Sequence, residues 1–220
     1  MGPKDGAKSG SASVCDSTKQ VAACLYYDYF TVAPEGSSRK GHEVGLTTAL
    51  PLADRVYLGV TTRYSKYTES GSAAMPDNSV SGFGTDAGLI VKVGEMVNVG
   101  AAGYNLLGSD EDQFPMGVGG GAALYLTPDL MLAGDGRWNL ETDKGRFGAG
   151  AEYFLSTRGG QQGYPVRAGY VYDELSGASY MSGGLGYVTP RAALDLGARR
   201  QVSEGHETLI QFGLRLFLAD

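Results

Sequence analysis

The sequence lacks the features that mark helical membrane proteins and nucleic-acid-binding proteins. It has no run approaching the roughly 20 apolar residues that a membrane-spanning helix needs, although 42% of its 220 residues are hydrophobic. Its Lys and Arg residues form no block and the net charge is -6. Because binding to phosphates requires a basic surface, this charge pattern argues against nucleic acid as a partner.

Histidine is scarce, and this limits the catalytic chemistry that the chain can carry. His42 stands beside Glu43, and His206 stands close to Glu204 and Glu207. A hydrolase site needs a histidine near a nucleophile or carboxylate, but a solvated loop histidine explains both positions better. No Gly-x-Ser-x-Gly motif, metal-ligand cluster or phosphate-binding loop is present. We therefore expect no enzymatic activity, no metal and no cofactor.

The first part of the chain is polar and carries both cysteines. Cys15 and Cys24 can form a disulfide in an oxidising compartment, or remain two free thiols. The first ten residues contain no apolar segment of an export signal, so an outer-membrane location requires that a signal was removed. Residues 1–19 are rich in Gly, Ser, Lys and Asp without periodicity, which predicts a flexible tail or a plug for a barrel.

Glycine is abundant, at 35 residues, and the rest of the chain consists of short segments in which apolar and polar residues alternate. A two-residue period is typical of β-strands with one apolar face. We predict about twelve strands, each of the length that a tilted membrane strand needs, near residues 21–32, 42–52, 56–67, 82–93, 96–107, 116–126, 130–140, 146–155, 164–173, 179–188, 192–201 and 208–218. This predicts that residues 20–220 form an all-β, antiparallel transmembrane β-barrel.

The connections between the predicted strands alternate between short and long. Turns at 51–55, 93–95, 127–129 and 189–191 are tight, whereas the links near 33–41, 69–81, 108–115, 174–178 and 202–207 are long and polar. Short turns on one rim and longer loops on the other are expected of outer-membrane barrels. The segment 156–163 is an exception, because it is a longer, Gly- and Gln-rich link on the short-turn rim.

The two faces of the predicted strands differ in chemistry. The apolar face carries aromatic residues near strand ends, which predicts two aromatic girdles formed in part by Tyr64, Trp138, Tyr170, Tyr172, Tyr153 and Tyr187. The opposite face carries acids interleaved with bases and glycines, and the candidates for ion pairs in the lumen are Glu152, Arg167, Asp135, Arg137, Asp86, Arg63 and Arg215. A soluble, glycine-rich β-sandwich with a solvated charged face fits the same alternation.

The final strand also carries an assembly motif. Its pattern Gln211-x-Gly213-x-x-Leu216-x-Leu218 resembles the C-terminal β-signal by which outer-membrane barrels are recognised for assembly. This predicts the barrel-assembly machinery as a partner. We expect the strand to direct Ile210 and its other even positions to lipid, and to close the barrel by pairing with residues 21–32.

Four longer motifs carry a family resemblance. They are Phe147-Gly-Ala-Gly-Ala-Glu152-Tyr-Phe-Leu155, Tyr164-Pro-Val-Arg167-Ala-Gly-Tyr170, Ser182-Gly-Gly-Leu-Gly-Tyr187 and Val97-Asn-Val-Gly100-Ala-Ala-Gly-Tyr-Asn105-Leu. Together they resemble strands of the FadL/PorV/TraF-like outer-membrane proteins. The resemblance implies either transport across the outer membrane or a part in envelope machinery for secretion or motility. Family members are usually longer and have an N-terminal hatch.

These observations predict a bacterial outer-membrane barrel that acts as a transport or pore-type protein or as an envelope-machinery component. The alternatives are a non-conducting docking barrel, an outer-membrane hydrolase or a soluble sandwich. The expected partners are outer-membrane lipid, the assembly machinery and other envelope proteins, which would bind through loops 68–81, 108–115 and 156–163.

Overall fold

The computed structural model describes residues 6–18, 20–33, 38–70, 78–108, 115–157, 162–203, 205 and 207–218. They form one antiparallel sheet of thirteen strands, arranged in chain order. The strands are β1 Gly6–Asp16, β2 Ala22–Ala33, β3 Ser38–Ala53, β4 Val56–Ser70, β5 Asn78–Val93, β6 Val97–Gly108, β7 Gly117–Thr127, β8 Leu130–Asn139, β9 Lys144–Thr157, β10 Gln162–Asp173, β11 Ala178–Val188, β12 Ala192–Gln201 and β13 Thr208–Leu216. Within these ranges, no helix is long and apolar enough to span a membrane.

The predicted all-β, antiparallel architecture is confirmed, and each of the twelve predicted strands corresponds to one strand from β2 to β13. Several strands are longer than predicted. β3 begins at Ser38 rather than His42, and β5 begins at Asn78 rather than Gly82. Backbone ladder bonds do not depend on side-chain polarity, so a strand can continue beyond its alternating segment.

The N-terminal segment differs from the predicted flexible tail, because Gly6–Asp16 forms the additional strand β1. β1 pairs with β2 along its whole length, from Gly6 opposite Ala33 to Asp16 opposite Ala23. The neighbours of β2 are therefore β1 and β3, and the predicted pairing of the last strand with residues 21–32 is wrong. The small Ser, Gly and Ala residues of β1 give no apolar alternation, yet they fit a strand whose backbone is fully paired.

Contacts divide the chain into two compact units. Unit 1 comprises Met1–Ile90 and Ala102–Gly117, and unit 2 comprises Val91–Ala101 and Val118–Asp220. Unit 1 thus contains β1–β4 and most of β5, and unit 2 contains β8–β13.

The solvent exposure of apolar and polar side chains is the reverse of that in a water-soluble sheet. The apolar face is open, as in β12 and β13, where Leu196 is 54% and Phe212 is 73% exposed. The buried side chains include polar ones on the opposite face, such as Ser65 at 0% and Asn105 at 8%. A soluble sandwich would bury its apolar face as a core, so this distribution favours the membrane-type arrangement.

Aromatic rings explain several glycines on the polar face. A Cβ at Gly45 would lie 2.4 Å from Cζ of Tyr26, and one at Gly41 would lie 2.1 Å from the Phe30 ring. In both cases the aromatic residue and the glycine are direct cross-strand partners. The rings therefore lie over the glycines of the neighbouring strand, an arrangement that fixes the register of β2 against β3.

Candidate functional site

A network of charged and polar side chains crosses the polar face of unit 1 and is centred on Arg63 of β4. Its guanidinium pairs with Asp86 on β5 and lies 3.7 Å, from Nε to Oε2, from Glu43 on β3. Glu43 accepts two further hydrogen bonds, from Ser65 Oγ at 2.7 Å and from the Tyr26 hydroxyl at 2.9 Å. The Arg63 side chain is only 13% exposed. This arrangement satisfies a nearly buried cation with two carboxylates, as burial of charge requires.

Asn105 of β6 completes this network. Its Oδ1 accepts a hydrogen bond from Arg63, its backbone N–H donates to Asp86 Oδ1 at 2.8 Å, and its Nδ2 donates to the Pro115 carbonyl at 2.9 Å. Its φ of 52° is left-handed, a conformation that asparagine tolerates better than most residues. A Cβ at Gly84 would lie 2.6 Å from Asn105 Oδ1, so this glycine leaves the space in which Arg63 and Asn105 meet.

A second arginine, Arg167 of β10, organises the polar face of unit 2. Its Nε lies 2.5 Å from Glu152 Oε2 on β9, and its Nη1 lies 2.6 Å from Asp195 Oδ1 on β12. The structure thus pairs the predicted candidates Glu152 and Arg167, which are direct cross-strand partners. Asp195 was not among the residues singled out for pairing, because its contact depends on how β12 is aligned with β10 across an intervening strand.

Glycines on β11 allow that long contact. Gly184 lies opposite Arg167, and Gly186 lies opposite Asp195. A Cβ at Gly186 would lie 2.8 Å from Asp195 Oδ1. Without side chains at these two positions, the arginine can reach over β11 to the carboxylate.

Beside this arginine lies a recess of about 600 Å³ within unit 2. Arg167, Arg199 and Gln211 line it over Gly184 and Gly197. One row across the sheet runs Arg167, Gly184, Gly197, Gln211 from β10 to β13. Arg199 packs over the Tyr180 ring, with Cζ 4.7 Å from its centroid, and pairs with no carboxylate in the described part of the chain. The recess therefore offers hydrogen-bond donors and a positive charge to a polar solute.

The other three predicted charged residues lie on other strand positions of unit 2. Asp135 lies opposite Gly148, and Arg137 lies opposite Arg146. Arg215 lies opposite Ala193. Among the seven predicted charges, Arg63 pairs with Asp86 and Arg167 pairs with Glu152.

Four of the predicted girdle aromatics contact a residue of a neighbouring strand. Tyr64 lies 5.0 Å from Phe83, and Trp138 lies 6.3 Å from Phe147, between ring centroids. The hydroxyl of Tyr170 donates to Ser179 Oγ at 2.9 Å and that of Tyr187 donates to Gln162 Oε1 at 3.2 Å. Tyr153 and Tyr172 are exposed. Rings with one polar end and an open apolar surface suit a membrane–water interface.

His42 and the adjacent Glu43 do not form a histidine–carboxylate pair. His42 lies within β3, and its Nδ1 is 2.7 Å from the Tyr27 hydroxyl. Its ring centroid is 5.1 Å from that of Tyr29. Glu43 points to the opposite face, towards Ser65 and Arg63. His206, Glu204 and most of the predicted docking loops lie outside the described residues.

The cysteines and the last strand occupy defined positions. Cys15 and Cys24 are direct partners across β1 and β2, and the structure joins them in a disulfide. In the predicted assembly motif, Gln211 lies opposite Gly197 and Gly213 opposite Asp195, while Leu216 and Leu218 are exposed. Among the described residues, no group of three His, Cys, Asp or Glu side chains could hold a metal ion.

Comparison with known proteins supports the fold. No protein-family model matches the sequence, and no curated protein matches it. The solved structure of BamA from Haemophilus ducreyi lacking POTRA domains 1–3 has a TM-score of 0.51 and 10% sequence identity. The match covers 94% of this chain and 61% of that chain, so this protein spans about three fifths of the BamA structure. The fold is therefore that of an outer-membrane β-barrel, and the FadL/PorV/TraF-like group is not singled out.

Proposed function

We propose that the chain is a bacterial outer-membrane protein whose polar face surrounds an aqueous path for small polar solutes. The observation that carries this proposal is the inverted exposure, in which leucines and phenylalanines are open while Ser65 and Asn105 are buried. In a bilayer the open apolar face would contact lipid, and the charged face would form the interior. Transport is consistent with the FadL side of the family resemblance.

The recess in unit 2 supports a solute path more directly than any other feature. Its volume of about 600 Å³ lies within the range of small-molecule sites. Arg199 contributes a cation that forms no salt bridge with a described carboxylate. Gly184 and Gly197 in the lining have no side chains to narrow the recess. We therefore expect the path to prefer anions.

Single-channel recording in a planar bilayer tests this proposal. Wild type should give stepwise conductance with anion preference, and Arg199→Gln should reduce that preference. Arg200→Gln is the matched control, since Arg200 follows Arg199 in β12 and projects from the opposite face. If inserted wild type is electrically silent, the pore assignment fails. If both variants change selectivity equally, Arg199 does not set the anion preference.

A docking barrel of an envelope machine is the second candidate, and the Arg63 network favours it. This network and the Tyr26 and Phe30 rings place paired charges and aromatic rings on the polar face of unit 1. Electrical silence combined with specific co-purification of secretion or motility proteins would support this function, as the PorV side of the resemblance implies. We propose no catalytic role, and lipid hydrolysis that disappears in His42→Ala would contradict this.

Membrane location and assembly have separate tests. The protein should require detergent for extraction and migrate faster unboiled than boiled on a denaturing gel. Replacing Leu218 with Asn should lower the amount of folded protein in the outer membrane if the final strand is recognised by the assembly machinery. A protein that is extracted by buffer and shows no heat-dependent mobility would overturn the membrane proposal.

A further inference from the structure

The apolar face of β1–β4, here called the outer face, changes in residue composition from one cross-strand row to the next. One row contains the apolar residues Val14, Leu25 and Leu46 and ends at Thr62 on β4. The next row towards the long-connection end contains Tyr27, Val44 and Tyr64. Two further rows follow, one with Tyr29, His42 and Lys66 and one with Lys8, Thr31, Lys40 and Thr68. The face thus passes from apolar to aromatic to basic over a few residues.

The basic end of this face is defined by Lys8, Lys40, His42 and Lys66, here called the basic cluster. His42 and Lys66 are direct cross-strand partners, and Lys8 and Lys40 are separated by one strand, which corresponds to about 10 Å. Side chains of lysine are long enough to converge over such a distance. All four side chains are exposed.

The described strands supply no salt-bridge partner to the lysines of the cluster. Within the described residues, none of the three lysines forms a salt bridge. The acids of the neighbouring strand positions, Asp28 and Glu43, lie on the opposite face with Tyr26 and Arg63. Three cations therefore project outward without a salt-bridge partner among the described residues.

We propose that the basic cluster binds the phosphates of lipid headgroups. This inference rests on the proposed membrane-spanning arrangement. Tyrosines favour the level of the headgroups in a bilayer, so cations placed just beyond Tyr27 and Tyr64 lie at the depth of the phosphates. The Tyr27 hydroxyl holds His42 through Nδ1, which leaves the other ring nitrogen directed away from Tyr27. The apolar face of unit 2 carries a single cation, Arg200, in the row of Tyr170 on β10–β12, where the basic cluster of unit 1 has three lysines.

The test compares lipid retention by the full-length protein in mixed micelles of a neutral detergent and phosphatidylglycerol. The variants are wild type, the triple variant Lys8→Gln, Lys40→Gln and Lys66→Gln, and the control Lys144→Gln. Lys144 is an exposed lysine at the start of β9 and lies outside the cluster. Each lysine near a membrane surface contributes about fivefold in affinity, so the triple variant should bind on the order of a hundredfold more weakly. Lys144→Gln should bind as wild type does.

Two further arms identify the chemical group that is bound. Diacylglycerol, which lacks the phosphate, should not be retained, and inorganic phosphate should compete weakly, because it lacks the acyl chains that contact the apolar row. Equal retention by wild type and the triple variant, or equal retention of diacylglycerol, would overturn the inference. Binding of inorganic phosphate by a protein that retains no lipid would also overturn the inference.

Vesicle insertion and heat-dependent gel mobility of the same samples separate this inference from the proposed function. If wild type inserts into vesicles and the triple variant retains as much lipid as wild type does, the proposed headgroup site is wrong and the membrane arrangement is unaffected. If wild type does not insert, the membrane arrangement itself is wrong.

Discussion

Arg63 and Arg167 are chemically similar and structurally different. Each bridges two carboxylates on other strands and reaches across a space left by glycine. Arg63 is 13% exposed and is joined by Asn105 within a dense network, whereas Arg167 is 43% exposed and borders a recess. The same combination of residues can therefore stabilise the wall of one unit and present a polar surface in the other, because desolvation decides the strength of an ion pair.

Removing the buried arginine should have the largest effect. Arg63→Met would leave Glu43 and Asp86 without their cation, and breaking a pair of this burial costs about 3–5 kcal/mol. The measurement is the free energy of unfolding by urea in detergent micelles. Arg63→Lys keeps the charge but cannot reach two carboxylates and Asn105 with a planar group, so an intermediate loss is expected. If Arg63→Met lowers the free energy of unfolding by less than Arg167→Gln does, the contrast between the two arginines is wrong.

Adding one methyl group to the wall of unit 1 should have a moderate effect. Gly45→Ala would place Cβ within 2.4 Å of the Tyr26 ring and displace its hydroxyl from Glu43, which should cost about 1–3 kcal/mol. Gly59→Ala is the control, because its Cβ would meet no atom closer than 3.9 Å. The same unfolding experiment measures both variants. Equal stability of the two would show that the ring does not fix the register of β2 and β3.

Removing the exposed arginine should have the smallest effect on stability. Arg167→Gln is expected to cost no more than about 1 kcal/mol, because its pairs with Glu152 and Asp195 are partly solvated. A double-mutant cycle with Glu152→Gln should give a coupling energy of similarly small size, which decreases in high salt. A coupling of several kcal/mol that is insensitive to salt would mean that Arg167 is as much a part of the wall as Arg63.

Local alternation made most of the architecture predictable. Segments such as Val56 to Tyr64 show the two-residue period. Glu152 and Arg167 stand on the polar faces of two consecutive strands, so their pairing followed from the sequence. Strand β1 was missed because Ser and Gly carry no apolar period, although its backbone pairs fully with β2.

Contacts that depend on the register of more distant strands were beyond sequence reasoning. The Arg167–Asp195 contact passes over β11 and required the placement of Gly184 and Gly186. Asn105 could have been suspected only from its tolerance of left-handed backbone, since its partners come from β4 and β5 and from Pro115. The signal that was available, glycine beside charge on the polar face, indicated where such contacts could form but not which residues make them.

Site-directed spin labelling along β12 tests the arrangement of the two faces most directly. The native cysteines are joined to each other, so single cysteines introduced at positions 194, 196, 197, 198 and 199 can be labelled selectively in vesicle-reconstituted protein. Labels replacing Leu194, Leu196 and Ala198 should be accessible to dissolved oxygen and protected from a water-soluble nickel complex, and labels at Gly197 and Arg199 should show the reverse. Access of the nickel complex to positions 194 and 196, or protection of all five positions from both reagents, would contradict a lipid-facing apolar surface.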